Sequence, residues 1–596
     1  MAEKLRKRNE IQDKYKWKLT DIYATVQDWE KAYEEVTGKI ADFAQYDGKV
    51  AEDPRKVIRA YFGLYDELMP VIEYAFLNKE TDNGDPAAQA MSDRSRALGV
   101  KFGTASAFVQ PELLDLDESL LTEMMNDPAM ADYSVFLGDL LRDKAHALPK
   151  EQERLLAMMG EVADAPSTIF SMLADVDMKF PTITLEDGTQ QELTEGNYST
   201  FIHGDNREVR KQAFEGIMGT YGKYGNTIAA TYSGSVKNDT FQAAARKYTS
   251  ALAARMEPLQ IPQAVYDNLI EVIHEYLPVL NEYLELRKQV LGLDELHMYD
   301  LYCPMVSDFH MDMPYDKAYD LVLEGLKPMG EDYVAKLVEA RDNGWIDVYP
   351  SENKSSGAFS AGSLAKVHPY VLLNHNDNLD SAFTIAHELG HSMHSYYSNQ
   401  AQPFPKADYS LFVAEVASTC NEAVMMRHLL STLPEKKAQA YLLNHFLEQF
   451  RTTCFRQTMF AEFERISHDM AAKGEPLTKE SLSKAYYELN KKYYGGACQV
   501  DEIIANEWMR IPHFYRSFYV YVYATGLCAA VSLSERILNE GESAVADYRK
   551  FLSAGCSVPP IEALKLAGID MSKPEPIRAA MKVFKETLEK FKAALN

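Results

Sequence analysis

His387-Glu388-Leu389-Gly390-His391 is the stretch of this 596-residue chain from which its fold and chemistry can be worked out. It lies in a segment that we predict to be a helix from about Asp380 to about Ser398. Positions four apart lie on one face of a helix, so both imidazoles can bind one metal ion. Zinc accepts two such nitrogens, and a glutamate directly after the first histidine can act as a general base. The stretch therefore predicts a zinc centre.

The surroundings of this motif argue against a chance occurrence. A chain with 14 histidines in 596 residues contains a random His-Glu-x-x-His in about one of thirty cases. The predicted helix also has an apolar stripe beside a polar stripe, in which His394 joins the two histidines of the motif. A helix of this kind is typical of a buried site. The motif is the centre of zinc peptidases, in which Glu388 would accept a proton from the attacking water.

A catalytic zinc ion needs three protein ligands and one open position, so a third ligand must be found. The pattern HExxHxxGxxH would supply a third histidine. Here His394 occupies the glycine position and Tyr397 occupies the last histidine position. That class of zinc peptidase is therefore excluded, and a glutamate on a following helix is the alternative.

Helix spacing selects this glutamate. A stop signal at residues 399–405 separates the motif helix from a second predicted helix. If the two helices form an antiparallel hairpin, the partner of the histidines lies at residues 415–419, where Glu415 is the one acidic residue. We therefore predict that His387, His391 and Glu415 bind one zinc ion per chain.

Two neighbouring residues have roles that the sequence leaves open. Glu422 lies two turns after Glu415 on the same helix face, too far along the axis to share the metal easily. It can hydrogen-bond a ligand imidazole, or it can form an unrelated ion pair. Gly390 would let the second helix approach closely, but it can also be an ordinary tolerated glycine.

Residues 513–523 contain one histidine and four tyrosines. Tyr515, Tyr519 and Tyr523 recur at four-residue spacing, so one helix face would carry three phenols. Aromatic stripes at this spacing usually belong to a protein core. In a zinc peptidase, phenol and imidazole groups can also stabilise the oxyanion of the tetrahedral intermediate. The sequence supports both interpretations.

Composition and charge limit the partners of the chain. The net charge of −26 argues against nucleic acid or anionic lipid as the main partner, because both are negatively charged. The N-terminus shows no apolar signal-peptide region, and the longest apolar run, residues 518–533, favours a buried helix over a membrane span. The six cysteines form no paired motif. We therefore expect a cytoplasmic protein with neither a nucleic-acid nor a membrane partner.

Apolar residues recur at intervals of three and four along most of the chain, which predicts a mainly α fold. Breakers divide it into an N-terminal helical domain at residues 1–112, a linking segment at 113–200 and a catalytic domain at 201–596. The linking segment should end in a hairpin with its turn at Asp187-Gly188.

One small β-sheet is predicted from residues 345–349, 357–360 and 368–374, shortly before the motif helix. A strand beside that helix can hydrogen-bond an extended peptide and align its carbonyl with the metal. Tyr370, on the last of these strands, is then a candidate for substrate binding. The alternative is a sheet that only closes the core, and the sequence favours neither.

Several stretches, taken together, resemble a known family. In and near the site they are His387-Glu-Leu-Gly-His391-Ser-Met-His394, Phe412-Val-Ala-Glu415-Val-Ala-Ser418, Pro512-His513-Phe-Tyr515 and Phe518-Tyr519-Val-Tyr521-Val-Tyr523-Ala-Thr-Gly526. Outside the site they are residues 17–23, 244–252 and 551–557. The likeness covers essentially the whole chain. It identifies the chain as similar to oligoendopeptidase F, a group within the thimet oligopeptidase-type (gluzincin) zinc metallopeptidases.

This resemblance implies two helical lobes that enclose a deep substrate channel, with zinc on the channel floor. Enzymes of this type cut short unstructured peptides internally and spare folded proteins. The resemblance also implies Glu415 as third ligand, which agrees with the helix spacing.

The resemblance further implies that His513 and one or more of the tyrosines after it bind substrate and stabilise the oxyanion. The interval from His513 to these tyrosines is shorter here than in the thimet oligopeptidase branch. On spacing we favour Tyr519 and Tyr523 for this role. Tyr515 and Tyr521 are then candidates for substrate binding, together with Tyr370 on the predicted sheet.

Two other functions compete with a zinc oligoendopeptidase. A peptide-binding protein could keep such a site without catalysis, although it would not need Glu388. A zinc carboxypeptidase or dipeptidase would need a cation for the terminal carboxylate of the substrate, and Arg516 is a candidate without a feature that directs it to the metal. The sequence gives neither the cleavage preference nor the oligomeric state, and cobalt or manganese could replace zinc.

Overall fold

The computed structural model of the chain describes residues 5–306, 309 and 311–595. Helices form most of this part of the chain, and the strands are few and short. The predicted mainly α fold is confirmed. Within the described residues, no helix has the length and apolar character that crossing a bilayer requires.

Helices follow one another closely along the first half of the chain. They are α1 Val26–Phe43, α2 Pro54–Thr81, α3 Pro86–Ser106, α4 Val109–Leu114, α5 Glu118–Asn126, α6 Ser134–His146, α7 Lys150–Met158, α8 Gly160–Ser171, α9 Glu195–Ile202, α10 Arg207–Lys223, α11 Gly225–Ala245, α12 Ala251–Met256 and α13 Gln263–Glu275.

The second half of the chain is also mainly helical. Its helices are α14 Leu277–Val290, α15 Tyr315–Gly325, α16 Glu331–Asp342, α17 Leu379–Ala401, α18 Phe404–Ala407, α19 Leu411–Thr432, α20 Lys436–Gln449, α21 Arg456–Ala472, α22 Lys479–Tyr494, α23 Tyr521–Glu540, α24 Glu542–Leu552, α25 Pro560–Leu566 and α26 Glu575–Leu595. Two consecutive 3₁₀ helices, Glu502–Arg510 and Pro512–Tyr515, precede α23.

Two small sheets interrupt the helices, and both were predicted. Strands β1 Thr182–Thr184 and β2 Gln190–Glu192 form an antiparallel hairpin around Gly188, which has a positive φ of 82°. The second sheet has the order β3-β5-β4, with β3 Ile346–Asp347, β4 Phe359–Ala361 and β5 Tyr370–Leu372. Here β3 pairs with β5 in parallel and β4 pairs with β5 antiparallel.

The described residues group into two compact units, each made of three separate parts of the chain. The first unit comprises the described parts of Met1–Ala145, His310–Ser431 and Ala530–Asp570. The second comprises the described parts of His146–Phe309, Thr432–Ala529 and Met571–Asn596. The boundaries predicted near residues 112 and 200 divide the chain into consecutive segments, whereas each compact unit combines parts that are distant in sequence. These boundaries therefore remain a prediction.

Helix α17, which carries the motif, begins where a capping residue was predicted. The Asn378 side chain accepts a hydrogen bond from the backbone N–H of Ser381, which satisfies one free donor of the first turn. The helix packs on α15, on α24 and on strand β4 within the first unit. Ser360 on β4 and Ser392 on α17 join their hydroxyl groups at 2.8 Å. The small sheet therefore lies directly beside the motif helix, as expected.

Most of the long apolar run, residues 518–533, forms the predicted buried helix. Residues 521–533 form the first part of α23, and most of their side chains are buried in the protein. Residues 518–520 precede the helix, and Phe518 has a positive φ of 56°. The prediction that Tyr515, Tyr519 and Tyr523 share one helix face was therefore wrong, because Tyr515 ends a 3₁₀ helix and Tyr519 precedes α23.

Candidate active site

Helices α17 and α19 form the predicted antiparallel hairpin. Gly390 lies where the two helices are closest, because a Cβ atom at this position would be 2.5 Å from Ser418 Cα and 2.6 Å from the Ala417 carbonyl oxygen. No side chain fits in that space without moving the backbone. Of the two interpretations of Gly390, close helix approach is the one that the structure confirms.

This approach brings the three predicted ligand side chains together. The Nε2 atoms of His387 and His391 are 3.2 Å apart. The Oε2 atom of Glu415 is 3.4 Å from His387 Nε2 and 3.6 Å from His391 Nε2. Ligands at 2.0–2.2 Å from a tetrahedral zinc ion lie about 3.3–3.6 Å from one another. The three donor atoms therefore have the separations that such an ion needs, and they form a group that could hold a metal.

Glu422 contacts the first of these histidines. Its Oε1 atom is 3.0 Å from His387 Nδ1, the ring nitrogen on the side away from the candidate metal position. Burial lowers the pKa of His387, but the hydrogen bonds that the ring donates to Glu415 and Glu422 outweigh it and raise the pKa to about 10. Hydrogen bonds from His387 and His391 hold the pKa of Glu415 well below its usual value. The contact with Glu422 fixes which nitrogen of His387 can bind a metal.

Glu388 lies on α17 directly after His387, and its side chain is buried. Burial raises the pKa of this carboxyl, and the carboxylates of Glu415 and Glu422 raise it further, while the two histidines oppose the shift. A carboxyl group whose proton affinity is raised is a better proton acceptor at neutral pH than an exposed glutamate. Glu388 thus has the environment of a general base.

The third histidine of the polar stripe does not join the group. His394 is buried and stacks on Tyr409 with ring centroids 3.6 Å apart. Burial lowers the pKa of His394 to about 3, so the ring is neutral. Its role is packing in the core of the first unit.

A buried asparagine, which the sequence did not single out, also joins the helices of the hairpin. Asn421 on α19 donates a hydrogen bond to the Ala386 carbonyl oxygen at 3.0 Å and accepts one from Tyr333 at 2.9 Å. Its side chain is fully buried. The sequence offered one signal for this role, because Asn421 is a polar residue within a mainly apolar helix. A polar side chain buried in such a helix needs hydrogen-bond partners inside the protein.

His513, Tyr519 and Tyr523 lie together in the second unit. The rings of His513 and Tyr519 are parallel with centroids 6.4 Å apart, and Tyr523 stands edge-on to Tyr519 at 5.3 Å. Both tyrosines are partly exposed and His513 is exposed. Partial burial and the positive charge of Arg516 lower the pKa of His513. These side chains form one accessible cluster of hydrogen-bonding groups, which we call the His513 cluster.

Arg516, the candidate carboxylate-binding residue, lies against this cluster. Its guanidinium group is 4.0 Å from the centroid of the Tyr519 ring, in a cation–π arrangement. The group therefore already has an aromatic partner.

The other three candidate tyrosines pack against, or hydrogen-bond to, other residues of the protein. The Tyr515 hydroxyl is 2.7 Å from Thr231 Oγ1 and its ring stacks on Phe170. Tyr521 is buried with its ring against Tyr266. In the first unit, Tyr370 is buried and its hydroxyl donates to the Lys18 carbonyl oxygen at 3.1 Å. Burial argues against substrate contact by Tyr370 and Tyr521.

Comparison with known proteins identifies the family. Residues 200–583 match the sequence profile of the family described as peptidase family M3. The chain belongs to peptidase family M3, a family of metallopeptidases. Residues 112–180 of this M3 peptidase match a second profile, described as oligopeptidase F.

Two curated relatives match this M3 peptidase over nearly its full length. Oligopeptidase PepF of Bacillus subtilis is 44% identical over 100% of the chain and 89% of the relative. Group B oligopeptidase PepB of Streptococcus agalactiae is 37% identical over 98% of the chain and 97% of the relative.

Solved structures match the fold of the M3 peptidase. Oligoendopeptidase F from Enterococcus faecium has a TM-score of 0.73 at 35% identity and covers 96% of this chain and 99% of its own. A solved structure from Chlamydophila abortus has a TM-score of 0.94 at 33% identity, over 99% of this chain and 100% of its own. The mainly α fold is therefore that of oligoendopeptidase F.

Proposed function

We propose that this M3 peptidase is a zinc-dependent oligoendopeptidase that hydrolyses internal bonds of short unstructured peptides. The observation that carries the proposal is the group of three donor atoms on α17 and α19, with Glu388 next to it in the chain. The names of the relatives, oligopeptidase and oligoendopeptidase F, support a peptide substrate.

The donor set favours zinc. Two imidazole nitrogens and one carboxylate oxygen, at tetrahedral separations, are the ligands of a catalytic zinc ion that keeps one open position. His387, His391 and Glu415 would hold one ion per chain. When bound, zinc lowers the pKa of a water molecule and polarises the substrate carbonyl. Glu422 orients His387 through its Nδ1 atom and so keeps Nε2 available as a ligand.

Glu388 acts as the general base in this proposal. Its carboxylate takes a proton from the attacking water and delivers it to the nitrogen of the leaving amine. The buried position of Glu388 raises its affinity for that proton. Because the side chain follows a ligand on the same helix, its position relative to the ligands is fixed by the backbone of α17.

The His513 cluster is assigned to substrate binding and to stabilisation of the oxyanion. Accessible imidazole and phenol groups can donate hydrogen bonds to the negative charge that develops on the carbonyl oxygen. Tyr519 and Tyr523 keep part of their surface exposed, whereas Tyr521 is buried. Exposure therefore supports the choice of Tyr519 and Tyr523 over Tyr521.

A cytoplasmic location is part of the proposal. All six cysteines are free, and five of them are buried. Unpaired thiols in this number are typical of proteins in a reducing compartment.

Product analysis tests the proposed activity. Internally quenched peptides of graded length should be cut at internal bonds, and a chelator should abolish the cutting. Adding zinc to the chelated protein should restore it. A ladder of products shortened from one end would instead show a carboxypeptidase, and tight binding without products would show a peptide-binding protein.

A further inference from the structure

Phe518 has a backbone conformation that its residue type disfavours. Its φ is 56°, in the left-handed region that glycine and asparagine adopt more readily. The residue lies between the 3₁₀ helix Pro512–Tyr515 and α23, directly before Tyr519. Backbone strain of this kind persists only where surrounding contacts enforce it, and it is concentrated at functional sites. The contacts of Phe518 therefore point to a function of the loop at residues 516–520, which connects the 3₁₀ helix to α23.

Two acidic residues from other helices hold the loop. The backbone N–H of Phe518 donates to Glu464 Oε1 on α21 at 2.9 Å. The hydroxyl of Ser517 donates to Asp239 Oδ2 on α11. Both loop residues are buried, and all of these residues belong to the second unit. Each loop residue thus has one carboxyl partner.

A histidine completes this support. His468 on α21 contacts Asp239 Oδ2 at 3.3 Å through Nε2, and its Nδ1 atom is 2.7 Å from the Glu464 carbonyl oxygen. Its ring packs against the Phe518 ring with centroids 4.4 Å apart. The side chain and the backbone of Phe518 are therefore both constrained by residues of α21.

Glu464 is an unusual choice for a purely structural position. Its side chain is completely buried, and its second oxygen, Oε2, has no hydrogen-bond partner among the described residues. Burial raises the pKa of Glu464 well above the usual value, while the hydrogen bond from the Phe518 backbone opposes this shift. An apolar side chain of similar size would fill the same space without an unsatisfied polar atom. What it could not do is accept the hydrogen bond from Phe518.

We infer that Glu464 and Asp239 are positioning residues that set the loop backbone and thereby orient Tyr519 and Tyr523 for substrate. The inference rests on the proposed role of the His513 cluster. The backbone after Phe518 continues into the turn that starts α23, where the Val522 N–H donates to the Tyr519 carbonyl oxygen at 3.1 Å. A change in φ at Phe518 therefore moves the Tyr519 ring.

Two substitutions of Glu464 test the inference. Glu464→Gln keeps an oxygen that accepts from Phe518, so its kcat should stay within about twofold of wild type. Glu464→Leu removes the acceptor, so its kcat should fall about tenfold or more with KM within about threefold, because small displacements of catalytic groups reduce rate steeply. Zinc content should remain one per chain in both variants. Thr458→Val, a buried polar-to-apolar change on α21, is the matched control and should behave as wild type.

A double-mutant cycle separates positioning from general stability. In a Tyr519→Phe, Tyr523→Phe background, Glu464→Leu should cause no further loss of kcat, because the groups that it orients are already removed. An additive loss, or a kcat of Glu464→Leu equal to wild type, would overturn the inference. Should Glu464→Leu fail to fold, Ser517→Ala and Asp239→Ala in the same cycle give the corresponding result, because they remove the donor and the acceptor of the other hydrogen bond that holds the loop.

The same cycle distinguishes this inference from the proposed function. If the double tyrosine variant loses turnover while Glu464→Leu and Ser517→Ala keep it, only the positioning role fails. If the double tyrosine variant keeps full turnover, the role of the cluster fails, and the positioning inference fails with it. In either case, internal cleavage by the wild-type protein and its loss with a chelator remain a separate test of the proposed activity.

Discussion

At the scale of single residues, metal binding depends on which atom of each ligand side chain points towards the other ligands. His387 illustrates this, because Glu422 occupies its Nδ1 atom and leaves Nε2 beside His391 and Glu415. Helix periodicity in the sequence was sufficient to predict Glu415 as the partner of the histidines. It left the role of Glu422 open, since two turns along a helix do not say which neighbour a side chain reaches.

Zinc content should separate the roles of the two glutamates on α19. Glu415→Ala removes a proposed ligand, so the purified protein should lose its bound zinc. Glu422→Ala removes only the partner of His387, so zinc affinity should fall by about 10- to 100-fold while binding persists. Competition with a chromophoric chelator measures both affinities. Full zinc affinity in Glu415→Ala would show that the third ligand is wrong.

The pH dependence of stability should reveal the buried carboxyl of Glu464. Its pKa in the folded protein lies above that in the unfolded chain, so between the two values a rise in pH favours unfolding. Glu464→Gln lacks this effect, so the melting temperature of this variant should rise relative to that of wild type as the pH increases above about 5. The neighbouring ionisable side chains Asp239, His468 and Arg255 are present in both proteins. A pH-independent difference would contradict the burial of an ionisable group there.

At the scale of secondary structure, the helical hairpin of α17 and α19 was predictable and the loop before α23 was not. The hairpin follows from two periodic segments separated by a proline-rich stop. Phe518 gives no such signal, because a positive φ at a phenylalanine arises from tertiary contacts with Glu464 and His468. The burial of Tyr521 also arises from a tertiary contact, here with the ring of Tyr266.

Gly390→Ala tests the hairpin. A Cβ atom would overlap the backbone of α19 at 2.5 Å, so the helices must separate or the chain must bend. We expect a destabilisation of about 1–3 kcal/mol, typical of overpacking, together with weaker zinc binding. Gly38→Ala on α1 is the control, since nothing in the described part of the chain lies within 4 Å of its added Cβ atom. That change should stabilise the protein by up to about 1 kcal/mol, and an equal result for both variants would refute the close contact.

At the scale of the whole molecule, the proposed ligands all belong to the first unit, although each unit is built from three parts of the chain. Sequence patterns divide a chain into consecutive segments. They cannot show that parts near residues 100, 400 and 550 pack together, because such packing depends on contacts distant in sequence. The mainly α class and the small sheets depend on local patterns and were predicted.

Removal of zinc should affect the structure locally. Ligand binding protects the elements that carry the ligands, so a chelator should increase amide hydrogen exchange in α17 and α19. Helices α10 and α11 of the second unit should exchange at unchanged rates. A uniform increase across both units would contradict a metal held by the hairpin alone.

The central claim is that a zinc ion on His387, His391 and Glu415 works with Glu388 as general base. Its most direct test is a joint measurement of bound zinc and peptide turnover in Glu388→Gln. The amide keeps the shape of the side chain but cannot accept the proton. We predict one zinc per chain and a loss of turnover of about 10²- to 10⁴-fold. Turnover near that of wild type with zinc bound would contradict the claim.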